Sequence, residues 1–439
     1  MSHWRQGFAE LRRYPSAIAG LALIAFLIGV AIYAVVAIPY GQALDLWRGG
    51  EHWRMHPVNA GPAWVDRLTG GNQPRTIIVD ARDAEIEEVA FDGGRQVRIP
   101  LDFDYRYGDF PSEINLFLEA PNGLREHFLR LTWTMPTGEQ IGLGGRRIAA
   151  EDRVSISQDW ALEGRLGMAP HIGLFADTDG AVAQGPYRLT LDAILFDEEA
   201  ELEAELVVYG RVHGLAGTDH RRRDLMVALL WGTPVALAFG LLAAVGTTIT
   251  TLVIAAVGVW FGGMVDAAIQ RLTEVNMILP LLPILVMVGT LYSTSIWLML
   301  GVVILLGIFS AGIKMYRAML LPIRKAPYIE AARAYGAGNM RIVLRYMIPR
   351  ILPVLIPTFV TLIPTFVFLE ASLALLGLGD PVLPTWGKVM NDAQAQSALY
   401  NGFYYWVLSP AFLLMLTGLG FAMLGFALDR VFNPRLRAV

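Results

Sequence analysis

Four features of the 439-residue chain bear on what chemistry it can do. His52 and His56 stand four apart in EHWRMH, a separation that suits two imidazoles on one helix face around zinc. The HExxH order is missing and no third ligand is evident, so turn or surface histidines are the better reading. The run IGLGGRR at 141–147 has the glycines of a phosphate cradle but lacks the lysine and hydroxyl of G-x-x-x-x-G-K-[ST], so the chain is not expected to hydrolyse ATP by itself. There is no cysteine, which removes disulfides, thiolate metal sites and cysteine nucleophiles. The fourth feature is YIEAARAYGAGNMRIVLRYMIP at 328–349, rich in arginine and alanine and set between two long apolar runs.

Gly336 falls where one helix ends before another begins, so this stretch reads as helix, turn, helix. Tyr328, Ala331, Ala332 and Tyr335 lie to one side, and Arg333, Arg341 and Arg345 are available for polar contacts. Periodicity alone leaves two readings open. A protruding helix fits a groove on a partner protein, whereas an amphipathic connector lies on anionic headgroups.

The elements that must position this stretch belong to a membrane protein. Hydrophobic residues make up 54% of the chain, too many for an ordinary soluble enzyme. Residues 16–38 run without a charge, long enough to cross a hydrocarbon core of about 30 Å, and are expected to be an uncleaved first span. Further apolar stretches near 233–260, 275–293, 296–316, 350–377 and 403–428 make six. Arg5, Arg12 and Arg13, Arg430, Arg435 and Arg437, and eight Lys/Arg in 314–350 orient both termini and the 328–349 stretch toward the cytoplasm. Arg221, Arg222 and Arg223 are the exception, because they would sit outside just before the second span.

Charge divides the chain: residues 41–218 carry 16 Lys+Arg against 29 Asp+Glu, and the remainder 19 against 10. Within 41–218 the pattern turns to period two. RQVRIPLDFDYRYG places Val97, Ile99, Leu101, Phe103, Tyr105 and Tyr107 on one face. RTIIVD, EINLFLEAP, FLRLTWTMP, PYRLTLDAILF and AELVVYGRV repeat it between turn formers such as PNG at 121–123 and FDGG at 91–94. The expected architecture is an α-helical polytopic membrane protein of six transmembrane helices. It divides into a cytoplasmic N-terminus and first span at 1–40, an inserted all-β extracytoplasmic domain, a β-sandwich, at 41–218, and a five-span core at 219–439.

Glu330-Ala331-Ala332, Gly336 four residues later, and Tyr346-Met347-Ile348-Pro349 resemble the EAA motif, EAA-x3-G-x9-I-x-L-P, of binding-protein-dependent ABC importer permeases. Tyr346 and Ile348 replace the usual Ile and Leu and remain apolar. The stretches at 217–244, 261–272 and 369–390 and the terminal NPRLRAV resemble dipeptide/oligopeptide permease C-type subunits. In that family the first extracytoplasmic segment is a short loop, where this chain has the acidic β domain.

The resemblance implies a type I importer subunit whose loop, about 322–349, is received by a cytoplasmic ABC ATPase. Glu330, Ala331, Ala332, Arg333, Gly336 and Pro349 would carry the coupling. ATP and Mg would be bound by the partner ATPases, and no cofactor by this chain. A second homologous permease, as a heterodimer rather than a homodimer, an extracytoplasmic substrate-binding protein and the bilayer are the other expected partners, with no role for nucleic acid. The expected location is a bacterial cytoplasmic membrane, with a peptide or related small solute as substrate. Glu370, a charge inside the fifth span, is a pathway candidate or a structural glutamate tied to neighbouring helices. In the stretch at 379–394, Trp386, Lys388 and Asp392 are candidates for docking the binding protein. Pro280, Pro283, Pro357 and Pro364 are hinges or fixed kinks. A secondary transporter and a membrane-anchored sensor or scaffold using the β domain are the alternatives.

Overall fold

A computed structural model describes residues 14–91, 94–119, 127–148, 151–196 and 202–432. Arg5, Arg12, Arg13, the PNG turn and the whole of NPRLRAV, with Arg435 and Arg437, lie outside the described residues. The chain divides into two compact units, one of residues 1–48 and 227–439 and one of residues 49–226.

The helical unit opens with α1 (Pro15–Ala37), which starts on a proline suited to the first helical turn and carries no charge. A short helix α2 (Tyr40–Arg48) follows it.

The second unit is β-rich. Small helices α3 (Ala63–Thr69), α4 (Trp160–Leu166) and α5 (Pro170–Gly173) accompany nine strands. These are β1 (Ile77–Asp80), β2 (Glu87–Phe91), β3 (Gly94–Tyr105), β4 (Glu113–Glu119), β5 (His127–Thr134), β6 (Gln140–Ile148), β7 (Glu151–Ser155), β8 (Gly185–Leu195) and β9 (Glu203–Tyr209). They form two sheets of antiparallel pairs, in the orders β1-β9-β4-β7 and β2-β3-β8-β5-β6. One buried cluster draws Ile114, Leu116, Leu206 and Val208 from the first sheet and Ile99, Leu101, Leu131 and Leu189 from the second.

The alternation in β3 holds, with Val97, Ile99, Leu101, Phe103 and Tyr105 all buried, and Tyr107 packs against the same core just beyond the strand. Phe103, Tyr105, Trp133, Phe175 and Tyr187 meet at its centre, with ring centroids as close as 4.6 Å for Tyr105 and Phe175. Burial of such polar-tipped rings requires partners. The Trp133 indole donates to the Leu174 carbonyl at 3.0 Å, and the Tyr105 and Tyr187 hydroxyls donate to the carbonyls of Asp109 and Ala183 at 2.6 Å. The glycine run at 141–147 is not a loop but part of β6, paired with β5, where Gly145 leaves room for the Phe128 ring.

Two of the three exceptional arginines are neutralised within this unit. Arg222 pairs with Glu113 at 2.5 Å and lies over the Tyr209 ring, and Arg223 forms a buried pair with Asp219 at 2.5 Å.

The helical unit resumes with α6 (Leu225–Phe261), 37 residues without an acidic or basic side chain. Then come α7 (Gly263–Ile278), α8 (Leu281–Leu291), α9 (Ile296–Ile308), α10 (Gly312–Arg324), α11 (Pro327–Ala334), α12 (Asn339–Ile342), α13 (Ile348–Leu373), α14 (Trp386–Ala395) and α15 (Tyr404–Phe432). Among the described residues, four helices are long and apolar enough to cross a membrane: α1, α6, the continuous run from α12 through α13 to Leu378, and α15. Two further pairs pass the same test but are bent, α7–α8 by 76° and α9–α10 by 46°. Pro280 sits at the first bend, whereas Pro357 and Pro364 lie inside an unbroken α13. At the second bend, which hydropathy does not announce, the Asn276 amide donates to the Leu306 and Phe309 carbonyls and so caps the end of α9.

Candidate functional site

The 328–349 stretch forms a helix with one anchored and one open face. Pro327 starts α11 at a position where its missing N–H costs nothing. Gly336 ends it with φ +79°, a conformation other L residues adopt only with strain. The Ala337 N–H donates to the Ala332 carbonyl at 3.0 Å and the Gly336 N–H to the Arg333 carbonyl at 2.9 Å. This reciprocal pair is a Schellman cap, which satisfies two carbonyls that the helix end would leave open.

Ile329 and Ala332 are the buried side chains of α11, and Ile329 joins a core with Trp260, Tyr316, Leu320, Ile342, Val343 and Met347. Glu330, Ala331, Arg333, Ala334 and Tyr335 are exposed, Tyr335 by 91%. The two alanines of the motif therefore part company: Ala331 faces outward, while Ala332 turns into the protein's own core. The Arg333 guanidinium lies 4.7 Å from the Trp260 ring centroid at the end of α6, within cation–π range. Trp260 escaped the sequence reading, because nothing in a tryptophan ending an apolar run marks it as a seat for an arginine 73 residues away.

Pro349 has a local structural effect. It has no N–H to return to the preceding turn and its ring crowds that turn. The chain answers with a π-helical turn over Val343–Met347 immediately before α13. Nearby, Asp266 of α7 receives a two-pronged contact from Arg317 of α10, at 2.7 to 3.0 Å. The pair holds the two bent segments together.

A cavity of about 590 Å³ opens within the helical unit. Its polar lining comes from Thr247, Thr248, Thr251, Asn276, Ser310 and Thr358, and none of its lining residues is charged. Thr247 returns its hydroxyl to the Ala243 carbonyl at 2.7 Å, and Thr251 donates to the Ile308 carbonyl at 3.0 Å. The Thr248 hydroxyl has no protein partner.

Glu370 does not line that cavity. It is 6% exposed and hydrogen-bonded to the Thr385 side chain. The Thr385 oxygen in turn accepts the Lys388 N–H at 3.2 Å, capping α14.

Trp386 is 1% exposed, with its indole N–H on the Leu229 carbonyl at 3.0 Å. A Cβ at Gly232 would come within 2.3 Å of the indole, so only glycine admits the ring against α6. Trp386, expected to dock the binding protein, thus has its indole packed inside the helical unit. Lys388 and Asp392 pair with each other at 2.8 Å and remain partly exposed.

Of the two histidines in EHWRMH, His52 is exposed and the His56 ring packs at a tilt against other rings, with centroids 4.0 Å from His213 and 4.8 Å from Trp53. Burial, together with the neighbouring imidazole, lowers the His56 pKa to about 4. Burial also lowers that of His213 and raises that of Asp224 beside it.

Residues 248–438 match the family described as the binding-protein-dependent transport system inner membrane component. The chain is 29% identical over 272 residues to the glutathione transport system permease protein GsiD of Pectobacterium atrosepticum, covering 59% of this chain and 88% of the relative. It is 31% identical over 229 residues to a putative peptide transport system permease protein of Brucella suis, 51% of this chain and 74% of the relative. It is 26% identical over 222 residues to the dipeptide transport system permease protein DppC of Bacillus subtilis, 50% of this chain and 68% of the relative. With a helical membrane unit built around an EAA-patterned surface helix, and with relatives that are transport permeases, the chain belongs to the inner-membrane permease family of binding-protein-dependent ABC importers.

Proposed function

We propose that this permease subunit moves peptides or a related small solute delivered by an extracytoplasmic binding protein, and that α11 is its coupling element to a cytoplasmic ABC ATPase. The observation that carries the proposal is the division of α11 into an anchored and an open face. Ile329 and Ala332 fix the helix to the core while Glu330, Ala331, Ala334 and Tyr335 stay exposed on a rigidly capped element. Small alanines allow close docking in a cleft and Glu330 offers a carboxylate to a basic group there. Arg333, Gly336 and Pro349 shape the element: the first by its seat on Trp260, the second by its cap, the third through the π turn.

In this reading the two bent pairs each count as one span, giving six. Both termini and α11 lie in the cytoplasm, and the two sheets form an extracytoplasmic sandwich. ATP and Mg belong to the ATPase subunits, and this chain carries no cofactor. A second, similar permease completes the pathway, which alternates between inward and outward access as the ATPases close and open. The peptide substrate is supported by the named peptide permeases among the relatives. Lys388 and Asp392 on α14 remain as a binding-protein contact.

The test is purification of the tagged chain from native membranes in mild detergent, with identification of the proteins that accompany it. The intact chain should bring an ABC ATPase and a second permease, and Glu330→Arg should lose the ATPase while still inserting. An intact chain that brings no ATPase would refute the coupling.

A further inference from the structure

The cavity of the helical unit lies where both of its bent pairs break. Leu279 and Leu281 line it on either side of Pro280, and Gly307, Ser310 and Gly312 line it across the gap between α9 and α10. Interrupted backbone in a membrane protein must be covered by other protein groups or face a polar cavity. Side chains of neighbouring helices cover part of it here. Asn276 donates to the Leu306 and Phe309 carbonyls at 2.8 and 3.2 Å, and Thr251 to the Ile308 carbonyl at 3.0 Å. A Cβ at Gly307 would come within 2.4 Å of the Thr247 methyl, so the break is seated directly on α6.

The wall offers hydrogen bonds of both kinds and no charge. Asn276 spends its amide N–H groups on the two carbonyls, which fixes the orientation of the amide, and its oxygen accepts from no donor among the described residues. The buried Thr248 hydroxyl has no protein partner either. An acceptor held in place and an unspent hydroxyl on one cavity wall suit the N–H and C=O of a peptide group. Most of the remaining lining is apolar and includes Met277 and Met315, whose unbranched thioethers adapt to side chains of different shape. A charged group would meet no counter-charge on this lining, and burying it unpaired is costly. The volume of about 590 Å³ falls inside the range of about 300 to 1,000 Å³ that holds small ligands.

We propose that this cavity is a solute-binding subsite for an uncharged peptide group and its side chain. Asn276 Oδ1 accepts the peptide N–H, and the Thr248 hydroxyl donates to the peptide carbonyl. The subsite rests on the transport reading above and adds that selection at this point is by amide groups and not by charge.

The chain has no cysteine, so Ser310→Cys puts a single thiol on the cavity wall, and Val89→Cys, 65% exposed in the β-rich unit, is the control. The transporter, purified with the proteins that accompany this chain, would be treated with the small neutral reagent methyl methanethiosulfonate, and modification of this chain read by mass spectrometry. Trialanine should slow modification at 310 several-fold and leave 89 unchanged. Ala-Lys-Ala and Ala-Glu-Ala, which have the same termini and a charge in the middle, should not slow it. Adding Thr248→Val should raise the trialanine concentration needed by about fivefold, the worth of one neutral hydrogen bond. Equal protection by all three peptides would overturn the selection against charge. No protection by trialanine would overturn the subsite, as would a position 310 that never reacts while 89 does, which would mean that lipid or another chain fills the cavity. Uptake of radiolabelled trialanine by cells carrying the intact transporter reads the transport reading separately. Uptake without protection removes the subsite alone, and protection without uptake removes peptide import and leaves the subsite.

Discussion

The helical unit and the β-rich unit bury polar groups by opposite routes. In α6 the hydroxyls of Thr233 and Thr247 return to carbonyls four residues earlier, at 3.1 and 2.7 Å. In the β-rich unit Thr218 reaches the Pro57 carbonyl 161 positions away, and Arg222 reaches Glu113 across 109. A helix that satisfies its own polar groups can bend, as at Pro280 and at residues 309–311, without losing its spans. A pair of sheets closed by long-range contacts must form as a whole, and slowly. The helical unit is thus suited to motion and the β-rich unit to presenting a fixed surface.

Substitutions can break this contrast from either side. The largest effect on function is expected from Gly336→Pro, which cannot hold φ +79° and removes the N–H that closes the cap on α11. Substrate-stimulated ATPase activity of the assembled transporter should fall by more than about tenfold if even 1.4 kcal/mol of the coupling geometry is lost. Thermal melting of the β-rich unit should not change. The largest effect on stability is expected from Trp133→Ala, at about 3 to 5 kcal/mol. It should abolish the near-ultraviolet dichroism of the aromatic cluster while the helical signal and ATPase co-purification persist. Loss of both units together would show that they are not independently stabilised.

A smaller effect sharpens the view of the helical unit. Gly232→Val forces a side chain into the Trp386 ring and should cost about 1 to 3 kcal/mol, read as earlier thermal aggregation of the full chain. No change would mean that the α6–α14 contact is loose.

The smallest effect concerns pH. His56 is held neutral by burial, with its pKa lowered to about 4, so its contribution to stability is complete above the unfolded value near 6.5 and is lost as pH falls toward 4. His213 acts in the same direction, and Asp224, with its pKa raised, opposes them. The His56 carbonyl accepts from the Arg222 guanidinium at 2.7 Å, which holds the backbone beside the ring. The β-rich unit should melt at lower temperature at pH 5 than at pH 7, and His56→Phe should flatten that dependence. An unchanged slope would show that the His56–His213 pair does not titrate in this range.

The four long apolar helices were legible because hydropathy is local, and so was the helix-turn-helix form of the 328–349 stretch, whose glycine and proline act on their own turns. The bend at 309–311 was not, since apolarity runs on through most of it and the amide that caps the helix there, Asn276, comes from another helix. Which motif alanine faces outward was hidden for a related reason: α11 has only eight residues, and its orientation is set by Trp260, Ile342 and Met347. In the β-rich unit, β3 announced itself by alternation, whereas β2 is exposed along its whole length and has no buried face to betray it. The His56–His213 ring contact joins residues 157 apart, and no spacing rule could reach it.

The most direct test of the coupling claim is site-specific photocrosslinking in native, transport-active membranes, with a benzophenone side chain placed in turn at Tyr335, 91% exposed, and at Ile329, 1% exposed. The account predicts an adduct with an ABC ATPase from position 335 and none from position 329. No ATPase adduct from position 335 in membranes that transport would contradict it.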